Sequence, residues 1–278
     1  MLTPKLTDVL RRTTPALAIG VTLGLSGFSL SSNAQSLNAQ SLNVQSSWAL
    51  AQGFPDSSLS LTTESYFRPP RNPRSSGPRT TTGTRSGSCV GDPTTAFTTF
   101  GPDSVVGYTA AARPEFVWYL PPSEQSFPVT FRLLAPNEIG IPEPIHTAQL
   151  AYMSGFSTYQ LPPEVPTLRE NQEYRWQIIV ECDPASPARS LAQELSFEVV
   201  PLPAALSQMS ATATPVEKAR AYAAQGLWYD AIAQIAQATT PNAKQTRTRL
   251  LQDLAESEPE NKDRYQNLLN IAAAFDGE

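Results

Sequence analysis

The chain has 278 residues, a net charge of −5, 26 prolines and only 16% charged side chains. A pI of about 5.1 argues against a nucleic-acid partner, and the prolines argue against a large helical bundle. Length alone allows one or two domains.

Residues 1–34 read as a secretory signal peptide. Lys5, Arg11 and Arg12 give a positive start, Ala16 to Leu30 an apolar stretch, and Ser32-Asn33-Ala34 a small-residue cleavage site. A transmembrane anchor is the rival. The apolar run falls short of the ~20 residues that span a bilayer, and Thr22, Ser26 and Ser29 interrupt it. Thr13-Thr14-Pro15 does not suit a twin-arginine signal, and no cysteine stands at the cleavage point to make a lipoprotein. Cleavage after Ala34 is preferred to a second small-residue site ending at Ala51, which lies far behind the apolar run. The expected location is therefore the periplasm or the exterior.

Residues 35–88 are expected to form a disordered linker. Gln35 to Val44 is a tandem repeat of QSLNA and QSLNV, too short a unit for a solenoid. Phe54 to Ser88 is rich in Pro, Ser, Thr, Gly and Arg, a composition that favours an extended chain. Arg68, Arg71, Arg74, Arg79 and Arg85 face almost no opposing charge. The segment is either a solvated linker or a basic strap for an anionic surface, with Arg68, Arg71, Arg74 and Arg79 as its contacts.

Residues 89–203 are expected to form an all-β sandwich of immunoglobulin or fibronectin type with about seven antiparallel strands. Candidate strands are Ala96–Phe100, Phe116–Leu120, Val129–Leu134, Ile145–Tyr152, Phe156–Leu161, Tyr174–Cys182 and Glu194–Val200. Val129 to Leu133 alternates apolar and polar residues, as a half-buried strand does. Pro121-Pro122, Pro136-Asn137, Pro162-Pro163 and Asp183-Pro184 punctuate the runs. Leu168 followed by Tyr174, Trp176 and Ile178 resembles a tyrosine corner, in which the Tyr hydroxyl bonds back to backbone ahead of its strand. Trp118 and Tyr119 are core candidates, with a sugar-stacking platform as the alternative.

Cys89 and Cys182 are the two cysteines. In an exported protein an even count points to one disulfide, with two buried free thiols as the alternative. The bond would close a loop of 182 − 89 = 93 residues. Such a loop is worth roughly 4–5 kcal/mol in the chain-entropy picture and nearer 2–4 in practice.

Residues 212–278 read as a helical tail. Thr214-Pro215-x-Glu217 signals a helix start, and Gly226 a break. Trp228–Ala238, Ala243–Ser257 and Asn261–Phe275 follow as helices. Ala219, Tyr222, Gly226, Ala231, Ile235 and Ala238 carry the spacing of one tetratricopeptide-like helical pair. A single pair must bury its apolar face on the sandwich, on the later helices or on a partner. Trp228 and Tyr229, at the turn, are expected either to anchor the pair internally or to line a partner-binding groove.

Catalytic chemistry finds little support. His146 is the only histidine, sits in a predicted strand and has no nucleophile elbow to serve. Glu138, Glu143 and Glu164 lie on connectors where the carboxylates of a glycosidase could hide. Asp92, Asp103 and Asp183 form no calcium-loop spacing. Residues 85–91 are glycine-bearing but lack the Lys-Ser/Thr of a phosphate loop. No catalytic, metal or cofactor site is expected.

Four motifs stand in order: Gly-Thr-Arg-x-Gly-x-Cys at 83–89, Arg-Pro-Glu-Phe-x-Trp-Tyr-x-Pro at 113–121, Tyr-Arg-Trp at 174–176 with Cys182-Asp183-Pro184, and Ala-x-Ala-x2-Gly-Leu-Trp-Tyr-Asp-Ala at 221–231. Together they resemble the family called domain of unknown function 928. The resemblance covers about Thr80 to Ala238 and implies an exported protein of a family found largely in cyanobacteria, with no assigned activity. It also implies pairing of Cys89 with Cys182 and treats the sandwich and first helical pair as one unit. The expected function is a non-enzymatic binding or scaffold protein of the periplasm or envelope. A carbohydrate-binding module using Trp118, Tyr119 or Tyr159 is the runner-up, and a hydrolase using loop acids comes third.

Overall fold

A computed structural model describes residues 65–71, 89–90, 94–183, 185–209 and 211–275. All of them fall within one compact unit. The expected signal peptide, the tandem repeat and most of the linker lie outside the described residues, and so do Arg74, Arg79 and Asp92. Among the described residues no helix is long and apolar enough to cross a membrane.

Among the described residues eight strands make two sheets: β1 (Thr98–Thr99), β2 (Gly107–Thr109), β3 (Glu115–Leu120), β4 (Val129–Pro136), β5 (Pro142–Leu150), β6 (Gly155–Gln160), β7 (Gln172–Val180) and β8 (Leu191–Val199). One sheet runs β1-β3-β6 and the other β2-β8-β7-β4-β5. Pairing is antiparallel except where β2 lies parallel to β8. Burial alternates along β7. Tyr174, Trp176, Ile178 and Val180 are buried while the residues between them are only half-buried. Phe116 of β3 meets Phe131, Trp176 and Phe197 of the opposite sheet, with ring centroids 5.2, 5.0 and 5.2 Å away. This aromatic cluster is the core between the sheets.

Polar side chains join the sheets at both margins. Gln193 of β8 accepts from Thr99 N–H (2.8 Å) and donates to the Phe97 carbonyl (2.6 Å), joining β8 to β1. On the far side His146 of β5 and Tyr159 of β6 share a 2.7 Å hydrogen bond. Cys89 and Cys182 form a disulfide with Cα atoms 5.5 Å apart. The Tyr174 hydroxyl accepts from Arg169 N–H at 2.9 Å, five residues upstream, as the corner-like spacing leads one to expect.

The seven expected strands are all present, with ends within three residues of expectation. The additional strand is β2. It is three residues long and carries Gly107, too short for an alternation to register. Among the described residues five α-helices follow: α1 (Ala204–Ser207), α2 (Pro215–Ala224), α3 (Trp228–Ala233), α4 (Pro241–Glu256) and α5 (Lys262–Ala274). Thr214 forms the expected capping box, its hydroxyl accepting from Glu217 N–H at 3.2 Å while the Glu217 carboxylate accepts from Thr214 N–H at 2.7 Å. Gly226, at φ +76°, turns the chain between α2 and α3. α3 stops at Ala233 rather than continuing to Ala238, and turns lead on to Pro241.

The helices are not a separate tail. Trp228 and Tyr229 are both fully buried. Trp228 Nε1 donates to the Phe100 carbonyl at 3.1 Å. Tyr229 reaches between the sheets, where its hydroxyl accepts from Trp176 Nε1 at 3.1 Å and its ring meets Phe116 and Phe197. Gly101 and Gly107 leave the room this requires, since a Cβ at either would fall 2.8 Å from a Tyr229 atom. Asp230 accepts from Ala110 N–H at 2.9 Å. Along α5, Arg264 donates to the carbonyls of Thr99 (3.0 Å) and Gly101 (2.6 Å), and Asn270 to that of Thr94 (2.7 Å). The helices therefore close the margin of the two sheets near β1 and β2.

Candidate functional site: a peptide-holding groove on the helices

The outer side of the helices holds a piece of the chain's own linker. Ser65–Arg71 lies along them in an irregular conformation, outside any helix or strand. The expectation of a disordered linker over residues 35–88 is corrected for this segment. The physical reason is the aromatic pair Tyr66-Phe67, which gives an otherwise polar stretch something to bury.

Four contacts define the groove. The Asp253 carboxylate of α4 accepts the backbone N–H groups of Tyr66 (2.6 Å) and Phe67 (2.9 Å) through one oxygen. Phe67 is buried edge-on against Trp228, with centroids 4.9 Å apart. The Arg220 guanidinium of α2 lies 4.8 Å from the centroid of the Tyr66 ring. Arg68 N–H reaches the Ala223 carbonyl at the end of α2, at 3.5 Å. Gly226 then lets the segment pass closely, since a Cβ there would sit 3.1 Å from the Arg68 carbonyl oxygen.

Each groove residue also has an anchor apart from the segment. Asp253 is paired with Arg249 one turn earlier on α4, at 3.0 Å. Arg220 Nη2 lies 3.4 Å from Thr246 Oγ1 as its donor. Trp228 is fixed by its bond to Phe100, and Gly226 N–H donates to Ala223 O at 2.9 Å. Carboxylate, aromatic wall and cation are thus positioned by the fold itself. The arrangement holds an irregular backbone with two adjacent aromatics.

The residues singled out from sequence are dispersed. Trp118 and Tyr119 are 2% and 4% exposed, so they are core side chains and cannot form a stacking strip. Tyr159 is half-buried between Phe131 and His146. Burial, followed by the charge of Glu164, raises its hydroxyl pKa above the ordinary 10.0. Glu138 and Glu143 lie on the β4–β5 hairpin and Glu164 after β6, all three exposed. Asp103 is buried, and its N–H donates to Glu258 at 2.5 Å. Asp183 accepts from Ala185 N–H. Among the described residues no group of three His, Cys, Asp or Glu is placed to hold a metal ion. Trp228 and Tyr229 point inward, and Trp228 alone touches the groove, as its wall. Arg68 and Arg71 keep their side chains exposed. Asp253, Arg249 and Arg220 carried no sequence signal, since charged residues on a helix are ordinarily solvated. The only pointer was the aromatic pair at 66–67.

A family model described as Domain of Unknown Function (DUF928) matches residues 80–263, more than half of the chain. The match runs beyond Ala238, through α4 and into the start of α5. Searches of curated proteins and of solved structures return no match.

Proposed function

Since the chain belongs to the DUF928 family, whose description assigns no activity, we propose from geometry a non-enzymatic binding or scaffold protein of the periplasm or cell envelope, with the helical groove as its peptide-holding face. The observation that carries this reading is Ser65–Arg71 itself, a non-helical peptide already seated on Asp253, Trp228 and Arg220. Holding a non-helical peptide by main-chain hydrogen bonds plus side-chain pockets is a recurring recognition mode.

In this reading the two sheets are an immunoglobulin- or fibronectin-like frame, supported by the Tyr174–Arg169 bond. α2 and α3 are one tetratricopeptide-like pair, supported by the complete burial of Ala219, Ala231 and Ile235. The signal-like N-terminus supports export, and the disulfide is in keeping with an oxidising compartment. The exposed Arg68 and Arg71 side chains leave the anionic contact expected of the strap open to them.

The test is capture from an envelope fraction with and without excess free peptide Ser-Tyr-Phe-Arg-Pro-Pro-Arg. A partner that the peptide competes off, and that an Asp253→Asn protein fails to recover, is the expected result. Recovery indifferent to both peptide and substitution contradicts the groove as the binding face.

A further inference from the structure

We propose that Ser65–Arg71 is an exchangeable, built-in competitor, and that the ligand taken by the groove in trans is a peptide of the same chemistry: two adjacent aromatics, then one spacer residue, then a Pro-Pro pair. This rests on the binding reading above and adds the ligand class and its regulation.

Three observations carry it. First, the groove keeps its shape through contacts that do not involve the segment, namely Arg249 on Asp253, Thr246 on Arg220 and Phe100 on Trp228. An empty groove would need no refolding, but it would expose the Trp228 wall as well as hydrate a carboxylate already paired with an arginine. Second, most of the segment's polar contacts to the groove are made by backbone N–H groups, at Tyr66, Phe67 and Arg68. Any peptide of the right path can supply those. Third, what is specific is aromatic and steric. Phe67 fills the space against Trp228, Tyr66 lies beside Arg220, and Pro70 Cδ would be 3.9 Å from a Cβ at Gly226. Proline pre-sets an extended backbone, so a Pro-Pro tail costs little further entropy on docking.

Competition follows from the tether. Residues 72–88 join the segment to Cys89, which is bonded to Cys182 on the body. A covalently linked ligand acts at an effective concentration of order millimolar. A trans peptide therefore sees only the fraction of molecules whose groove is open, and its apparent affinity falls by that fraction.

The experiment is a fluorescence-anisotropy titration of labelled Ser-Tyr-Phe-Arg-Pro-Pro-Arg against the full chain and two variants that weaken the resident segment. Phe67→Ser removes the ring on Trp228. Arg68→Pro removes the N–H on Ala223 and restricts the backbone at residues 67 and 68, while the side chain it replaces is exposed, so it keeps the test valid should Phe67→Ser unfold. Both variants are expected to bind the peptide at least about tenfold more tightly than the parent. Asp253→Asn placed in either variant is expected to abolish that gain. A control peptide with Ser in place of both aromatics is expected not to bind. Equal binding by parent and variants overturns the competitor while leaving the groove a peptide site. No binding by either variant, although the amides of residues 66 and 67 exchange freely, overturns both the competitor and the binding reading. Equal binding of the control peptide overturns the assigned ligand class.

Discussion

On its inner side the helical layer drives Trp228 and Tyr229 into the sheets, and on its outer side the same helices hold Tyr66 and Phe67. Both sides bury aromatic rings, and both use buried polar atoms to fix them. They differ in what lies beyond the ring. Both rings belong to the buried core, but Tyr229 is enclosed between the sheets by Trp176, Phe116 and Phe197, with two glycines making room for it, whereas Phe67 joins the core through Trp228. Phe67 belongs to a short irregular segment whose side chains beyond it, Arg68 and Pro69, are exposed. A buried ring stabilises the whole fold only if the fold cannot open without exposing it. A ring on a detachable segment contributes no more than that segment's own docking energy.

The largest effect expected from this difference is at Tyr229. Tyr229→Ala should destabilise the protein by about 3–5 kcal/mol, as truncating a large buried aromatic does, and denaturant unfolding will measure it. Phe67→Ala should cost only about 1–2 kcal/mol, below the usual range for a buried Phe, because the segment can leave before the body unfolds. Equal losses at the two positions would erase the distinction between the two sides.

A smaller effect lies at Asp230, whose pKa is raised above the ordinary 3.8, first by burial and against the hydrogen bonds from Ala110, Thr109 and Ala111. The folded protein thus holds this proton more tightly than the unfolded chain does. Its contribution to stability is most favourable at low pH and declines as pH rises from 3.8 through the raised value. Glu217, on the exposed outer side of α2, has the opposite sign. The capping bonds to Thr214 lower its pKa below 4.5, so its contribution is present above 4.5 and is lost as pH falls through the lowered value. Relative to the parent, stability of Asp230→Asn should rise with pH above 3.8, and stability of Glu217→Gln should fall less on the acid side. An Asp230→Asn curve that parallels the parent's would show that the carboxyl is not linked to folding.

The inner side was largely legible in the sequence, and the outer side was not. The corner-like spacing from Leu168 to Tyr174 announced β7, and Thr214 with Pro215 and Glu217 announced α2, because strands and helix starts are local patterns. The pairing of Cys89 with Cys182 followed from their number and from family resemblance. β2 escaped because three residues carry no period. The groove escaped for a different reason. It joins Tyr66 and Phe67 to Asp253 across separations of 187 and 186 residues, and neither end looks unusual alone. A proline- and arginine-rich stretch reads as linker until its two rings find a wall, and a helical aspartate reads as solvated until backbone N–H groups arrive.

The central distinction can be measured directly by native-state amide exchange against low concentrations of denaturant. The amides of Tyr66, Phe67 and Arg68 are expected to be protected yet to exchange through a local opening, at rates indifferent to denaturant, while those of Trp176 and Ile178 in β7 follow global unfolding. Amides at 66–68 that match β7 in both protection and denaturant dependence would contradict this, because the segment would then be a fixed part of the fold rather than an occupant of a groove.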